Sequence, residues 1–121
     1  MRISSSLSLL SLLLLLPACG PTSRADAHDQ ATDSACDYYD ACEEIGSGEG
    51  KTFQDRSECE VKIRDFFQVA WTADNCPAIN EKGFETCLER IGTTSCSSAT
   101  DFLNTAILVC GAGSVCQDVE D

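Results

Sequence analysis

Nine cysteines in a chain of 121 residues, with a single histidine beside them, restrict the possible folds more than any other feature. Structural zinc sites need cysteines paired two to four residues apart, and a thioredoxin-like centre needs C-x-x-C. Here the cysteines stand at positions 19, 36, 42, 59, 76, 87, 96, 110 and 116, and no interval is of either kind. The pattern therefore predicts a disulfide framework formed outside the cytoplasm, without a metal or cofactor. A chain this short makes one small domain whose buried core is marginal by itself, so crosslinks become a main source of stability.

Residues 1–18 read as a signal peptide, with Arg2 as a short basic region and an apolar run from Leu7 to Leu16 that is too short to span a bilayer. The following Leu16-Pro17-Ala18-Cys19-Gly20 resembles the lipobox of bacterial lipoproteins, a pattern that makes Cys19 the lipidated residue of the mature protein. A thiol accepts a diacylglycerol as a thioether, and the anchored chain is expected in the cell envelope. Gly20 directs the expectation to the outer membrane, because lipoproteins of this type are held at the inner membrane when aspartate follows the cysteine. Parity agrees: without Cys19, the eight remaining cysteines form an even set. Residues 19–32 read as the lipidated cysteine and a flexible tether, 33–117 as the cysteine-rich domain and 118–121 as an acidic tail.

Arg2 is the only basic residue of the signal segment, so the mature chain carries 7 basic against 20 acidic side chains. No basic stripe is present, and a nucleic-acid partner is excluded by repulsion from the phosphate backbone.

Apolar spacing predicts four helices and no strand of any length. The first carries Ala31, Ala35, Tyr38, Cys42 and Ile45, with Gly46 as a left-handed stop. The second carries Cys59, Ile63, Phe66, Phe67 and Ala70 with Trp71 at its edge, opened by Ser57 and Glu60 as a capping box. The third places Phe84, Cys87, Leu88 and Ile91 after an Asn80 cap, with Gly92 at its end and Gly83 weakening it by about 1 kcal/mol. The fourth follows Ser97 or Ser98 with Phe102, Leu103, Ala106, Ile107 and Cys110. The fold class is an all-α, disulfide-stapled bundle of about four helices. Cys36 and Cys42 lie about 120° apart around a helix and so should bind different elements. A hairpin of the first two helices would join Cys42 to Cys59, and an antiparallel third and fourth would join Cys76 to Cys110.

Other features resist a chemical reading. The Gly46-Ser47-Gly48-Glu49-Gly50-Lys51-Thr52 stretch fails the spacing of a phosphate-binding loop, because Ile45 stands where the first glycine is needed. His28 is expected as a solvated side chain of the tether. Asp37, Asp40, Glu43 and Glu44 lack the loop pattern of a calcium site and read as a solvated helix face. The eight aromatic side chains should mostly fill the core. No catalytic residue is predicted.

The run Cys36-x5-Cys42-x2-Ile45-Gly46, Ser57, Cys59, Trp71, Cys76-Pro77, Cys87-Leu88-x2-Ile91, Cys96, Cys110 and Cys116 is similar to a family of small cysteine-rich lipoproteins from myxobacteria. Some of its members are labelled natural product biosynthesis lipoprotein, and the likeness implies this architecture and location without any activity to transfer. The expected function is a non-enzymatic envelope lipoprotein, held to the membrane through Cys19, that presents an acidic helical domain to an unidentified protein partner. The alternative is a carrier of small apolar molecules in a cavity between the helices. If the framework reading is right, Cys36, Cys42, Cys59, Cys76, Cys87, Cys96, Cys110 and Cys116 take up no alkylating label in the exported protein without reductant. Two or more labelled positions in most molecules would defeat it.

Overall fold

A computed structural model of the chain describes residues 23–96 and 109–117. Four helices account for most of them: α1 (Arg24–Ala41), α2 (Arg56–Ala70), α3 (Glu81–Thr93) and the single turn α4 (Ala112–Val115). Extended pairing among the described residues is limited to two isolated bridges, Ile45 with Phe53 and Ile79 with Cys116. The all-α, disulfide-stapled class is therefore correct. The fourth helix expected between Ser97 and Cys110 lies almost entirely outside the described residues, and α4 is a different element. None of the described helices is long and apolar enough to cross a membrane.

Helix α1 starts earlier than its composition implies. Ser23 caps it, its side-chain oxygen accepting from the Asp26 amide at 3.0 Å. Small residues then line a seam of Ala27, Ala31 and Ala35, all fully buried. Alanines carry little hydropathy signal, but they let a second helix approach closely, so residues 24–32 belong to the folded domain and not to a tether. The helix ends by a Schellman motif, in which the Glu44 amide donates to the Tyr39 carbonyl at 2.9 Å and the Glu43 amide to that of Asp40 at 3.0 Å. The left-handed residue is Glu43, at φ 60°, in place of the expected Gly46. A side chain there costs on the order of 1 kcal/mol.

Helix α2 is capped by Asp55, which accepts from the Glu58 amide at 2.8 Å, while the Glu58 carboxylate reaches back to the Gln54 amide at 2.7 Å. This pair replaces the expected Ser57 and Glu60. Cys59, Ile63 and Phe67 face inward, and Trp71 at the C-cap is wholly buried. Phe67 and Phe84 pack on Trp71 with ring centroids 4.8 and 5.9 Å away, and its indole N–H donates to the Cys110 carbonyl at 2.7 Å.

Helix α3 has the expected Asn80 cap, donating Gly83 N–H to Asn80 Oδ1 at 3.2 Å, and buries Phe84, Cys87 and Ile91. It runs to Thr93, through Gly92. The strand-like return of residues 115–117 lies along residues 78–80, with Asn80 N–H donating to Val115 O at 2.7 Å and Gln117 N–H to Ala78 O at 2.9 Å. That pairing drives α4 against α3 at Gly83, where a Cβ would stand 1.8 Å from the Ser114 carbonyl oxygen.

Gly83 is thus a close-approach residue, whereas the sequence presents it only as a weak point. Gly83→Ala should lower stability by roughly 2 kcal/mol or more, although alanine is the better helix former by about 1 kcal/mol. Urea unfolding measures this, and a variant as stable as the parent would contradict the packing of α4 on α3.

Candidate functional site

The eight cysteines of the domain are joined as Cys36–Cys59, Cys42–Cys96, Cys76–Cys116 and Cys87–Cys110. Cys36 and Cys42 do serve different elements. The two guessed pairs, Cys42 with Cys59 and Cys76 with Cys110, do not occur. The segment between α1 and α2 folds back on α1, burying Phe53 edge-on against Tyr39 at 5.1 Å. The start of α2 therefore meets α1 above its end, and Cys59 faces Cys36 on the inner seam with Cα atoms 6.0 Å apart. Cys42, at the C-cap, is left to reach Cys96 beyond α3. At the other end, the return of residues 115–117 past residue 79 brings Cys116 to Cys76, and Cys110 turns to α3.

The residues set aside on sequence grounds occupy definite positions. His28 lies in α1, 8% exposed, with Nε2 3.0 Å from the Trp71 carbonyl oxygen and its ring stacked on the indole at 5.8 Å. The solvated-tether expectation for His28 is therefore wrong; its position on the alanine seam, one residue after Ala27, was the missed signal. The glycine-rich stretch is a closed loop between α1 and α2. Thr52 and Phe53 amides donate to the Glu44 carbonyl, Gly46 N–H donates to Phe53 O, and Lys51 Nζ donates to the Glu43 carbonyl at 2.6 Å. Its one lysine is committed to the carbonyl of the residue that follows the C-cap of α1. The acidic residues Asp37, Asp40, Glu43 and Glu44 are dispersed: Asp37 accepts from Arg56 at 2.8 Å, and Glu44 from the Thr52 hydroxyl at 2.7 Å. Among the described residues no three histidine, cysteine or acidic side chains converge as metal ligands do.

Charge is arranged by helix. Asp29, Asp33 and Asp37 run along one face of α1 toward α2, where Arg64 bonds Asp29 at 3.0 Å and Arg56 bonds Asp37 and Glu60. Hydrogen bonds that Arg56 donates to Asp37 first and Glu60 second hold its guanidinium above the ordinary pKa. These pairs are solvent-exposed, so each adds at most about 1 kcal/mol, and they orient α1 on α2 more than they stabilise the contact. On α3, Glu81, Glu85 and Glu89 are exposed on a common face. Grooves among the described residues include one on the outer face of α2 by Val61 and Gln68 and another between Tyr38 of α1 and Leu88 of α3, both open to solvent. Val61 and Val69 are the large apolar side chains most exposed on α2, at 64% and 69%. The hydroxyl of Thr32 is buried and has no hydrogen-bond partner.

The buried phenol of Tyr39 is pushed up to about 12 from its usual value of 10.0, by burial first and then by Tyr38 and Glu44. Because the fold favours the neutral form, this stabilisation is complete below pH 10 and is lost as the pH rises toward 12. Stability should therefore fall across that window by on the order of 2 kcal/mol, and Tyr39→Phe should remove the decline. Urea unfolding at pH 8, 10 and 11 tests this, and an unchanged alkaline slope in the variant would refute it.

No curated protein and no solved structure matches this chain. One family model does, over residues 36–118, which takes in all four disulfides and well over half of the chain. The matched stretch begins at Cys36, the first cysteine of the frame, and ends two residues after Cys116, its last, so the crosslinked unit and the family unit are the same. The chain belongs to the family of unknown function DUF6184.

Proposed function

We propose that this protein is a non-enzymatic lipoprotein of the cell envelope, anchored through Cys19 to the outer membrane, whose acidic helical head engages a protein partner. The lipobox Leu16-Pro17-Ala18-Cys19-Gly20 carries the reading. Lipoprotein processing places two or three acyl chains on one cysteine, enough for stable anchoring where a single chain binds only marginally. The likeness to cysteine-rich lipoproteins of myxobacteria, some labelled for natural product biosynthesis, supports the same location. With Ser23 already capping α1, only residues 20–22 separate the anchor from the head. The 18 residues of α1 then carry the chain about 27 Å from that point.

Among the described residues, the burial of the large side chains favours an interaction head over a carrier. Trp71, Phe67, Phe84, Ile91 and Val115 are at most 1% exposed, and the two grooves described are open clefts on the surface. The excess of carboxylates suits a cationic partner surface, whose approach would be accelerated at low salt.

In a cell with two membranes, Cys19→Ser should leave an unprocessed precursor or a soluble form, and Gly20→Asp should shift the protein to inner-membrane fractions. Membrane fractionation with immunoblotting reads both. A processed, folded Cys19→Ser protein that still sediments with the outer membrane would rule out the lipid anchor.

A further inference from the structure

We infer that the Cys42–Cys96 disulfide is a thiol-exchange site, a latch between the two halves of the domain that a dithiol reductant opens while the fold persists. The crosslinks differ sharply in access. Cys36, Cys59, Cys76 and Cys87 are 0% exposed, Cys110 1% and Cys116 5%. Cys96 is an exposed residue and Cys42 a half-buried one, so of the four this bond is the most open to an attacking thiolate, which must approach along the S–S axis.

Its place in the connectivity gives the access a consequence. Cys36–Cys59 lies wholly within α1 and α2, while Cys76–Cys116 and Cys87–Cys110 lie wholly within the part that follows α2. Cys42–Cys96, with the longest sequence separation of the four at 54 residues, is the only one of these disulfides that joins the halves, which otherwise share just the backbone leaving α2. Both cysteines sit at helix ends, Cys42 at the C-cap of α1 and Cys96 beyond Thr93 of α3, so opening the bond breaks no helical turn. Local backbone is held independently: the Schellman hydrogen bonds fix the end of α1, and the Tyr38 hydroxyl donates to the Ser95 carbonyl at 3.0 Å. Trp71 and its partners continue to join the halves without covalent help.

In the exchange, a thiolate of the dithiol attacks Sγ of Cys96, which belongs to the more exposed residue of the pair. The S–S bond breaks, and its electron pair leaves with Sγ of Cys42, which takes a proton from water. The second thiol of the reductant then attacks the mixed disulfide and releases Cys96 as a thiol. The dithiol is oxidised to its disulfide by two electrons, and the Cys42–Cys96 pair is reduced by the same two.

The test is graded reduction of the oxidised protein with dithiothreitol, alkylation at intervals, and peptide mapping beside far-ultraviolet circular dichroism. The expected result is alkylation of Cys42 and Cys96 at least tenfold faster than of the other six cysteines, with helical dichroism retained during that phase. The Cys42→Ser/Cys96→Ser double variant should lack the fast phase. Any other pair opening first, all eight cysteines labelling together with loss of helix, or a fast phase persisting in the double variant would each overturn the proposal. Labelling of the unaltered protein decides the question even where the double variant fails to fold.

Discussion

Covalent closure is the constraint on which the rest of this structure depends. Helices of 18, 15 and 13 residues are marginal in isolation, and a domain of this size has little interior with which to hold them together. Each disulfide closes a loop of 23 to 54 residues, which in the chain-entropy model lowers the freedom of the unfolded state by about 3 to 4 kcal/mol. The loops overlap, so these figures do not add. Three of the bonds are buried inside the halves they tie, and there they also act as core side chains.

Between the halves, Trp71 makes a set of non-covalent contacts beside those of Tyr38 with Ser95 and Arg24 with Cys76. It ends α2, stacks on His28 of α1, meets Phe84 of α3 edge-on, and donates its N–H to the carbonyl of Cys110. One side chain thereby touches three helices and the segment before α4. Its polar atom is satisfied, so the hydrogen bond to Cys110 offsets the desolvation of the buried indole N–H. His28 completes the arrangement by pairing with the carbonyl of the same tryptophan, which ties the first turns of α1 to the last of α2.

The acidic excess shapes the outside. Arg56 and Arg64 of α2 pair with Asp33, Asp37 and Asp29 of α1, Lys62 pairs with Glu58, and Lys51 bonds the Glu43 carbonyl just past α1. Several of the few cations are therefore spent within the domain, leaving carboxylates such as those of Glu81, Glu85 and Glu89 on the surface. A chain with formal charge −12 repels itself when compact, and crosslinks that limit the expanded state offset part of that repulsion.

Local pattern sufficed for whatever is encoded by near neighbours. The helical class, the inward faces of α2 and α3, the Asn80 cap and the pairing of all eight cysteines in an oxidised frame were legible in residue types and spacing. What the sequence alone could not resolve depends on residues far apart in the chain. Ala27 looks like linker until a second helix is laid on the seam it shares with Ala31 and Ala35, Gly83 looks like a flaw until Ser114 arrives, and His28 looks solvated until Trp71 covers it. The disulfide partners belong to the same class, because Cys36 and Cys42 differ by only six positions and the choice between them for Cys59 is made by where α2 crosses α1. Spacing along the chain determines which side chains share a face of a helix; which faces then meet is decided by the packing of large rings and small seams, a property of the whole tertiary structure.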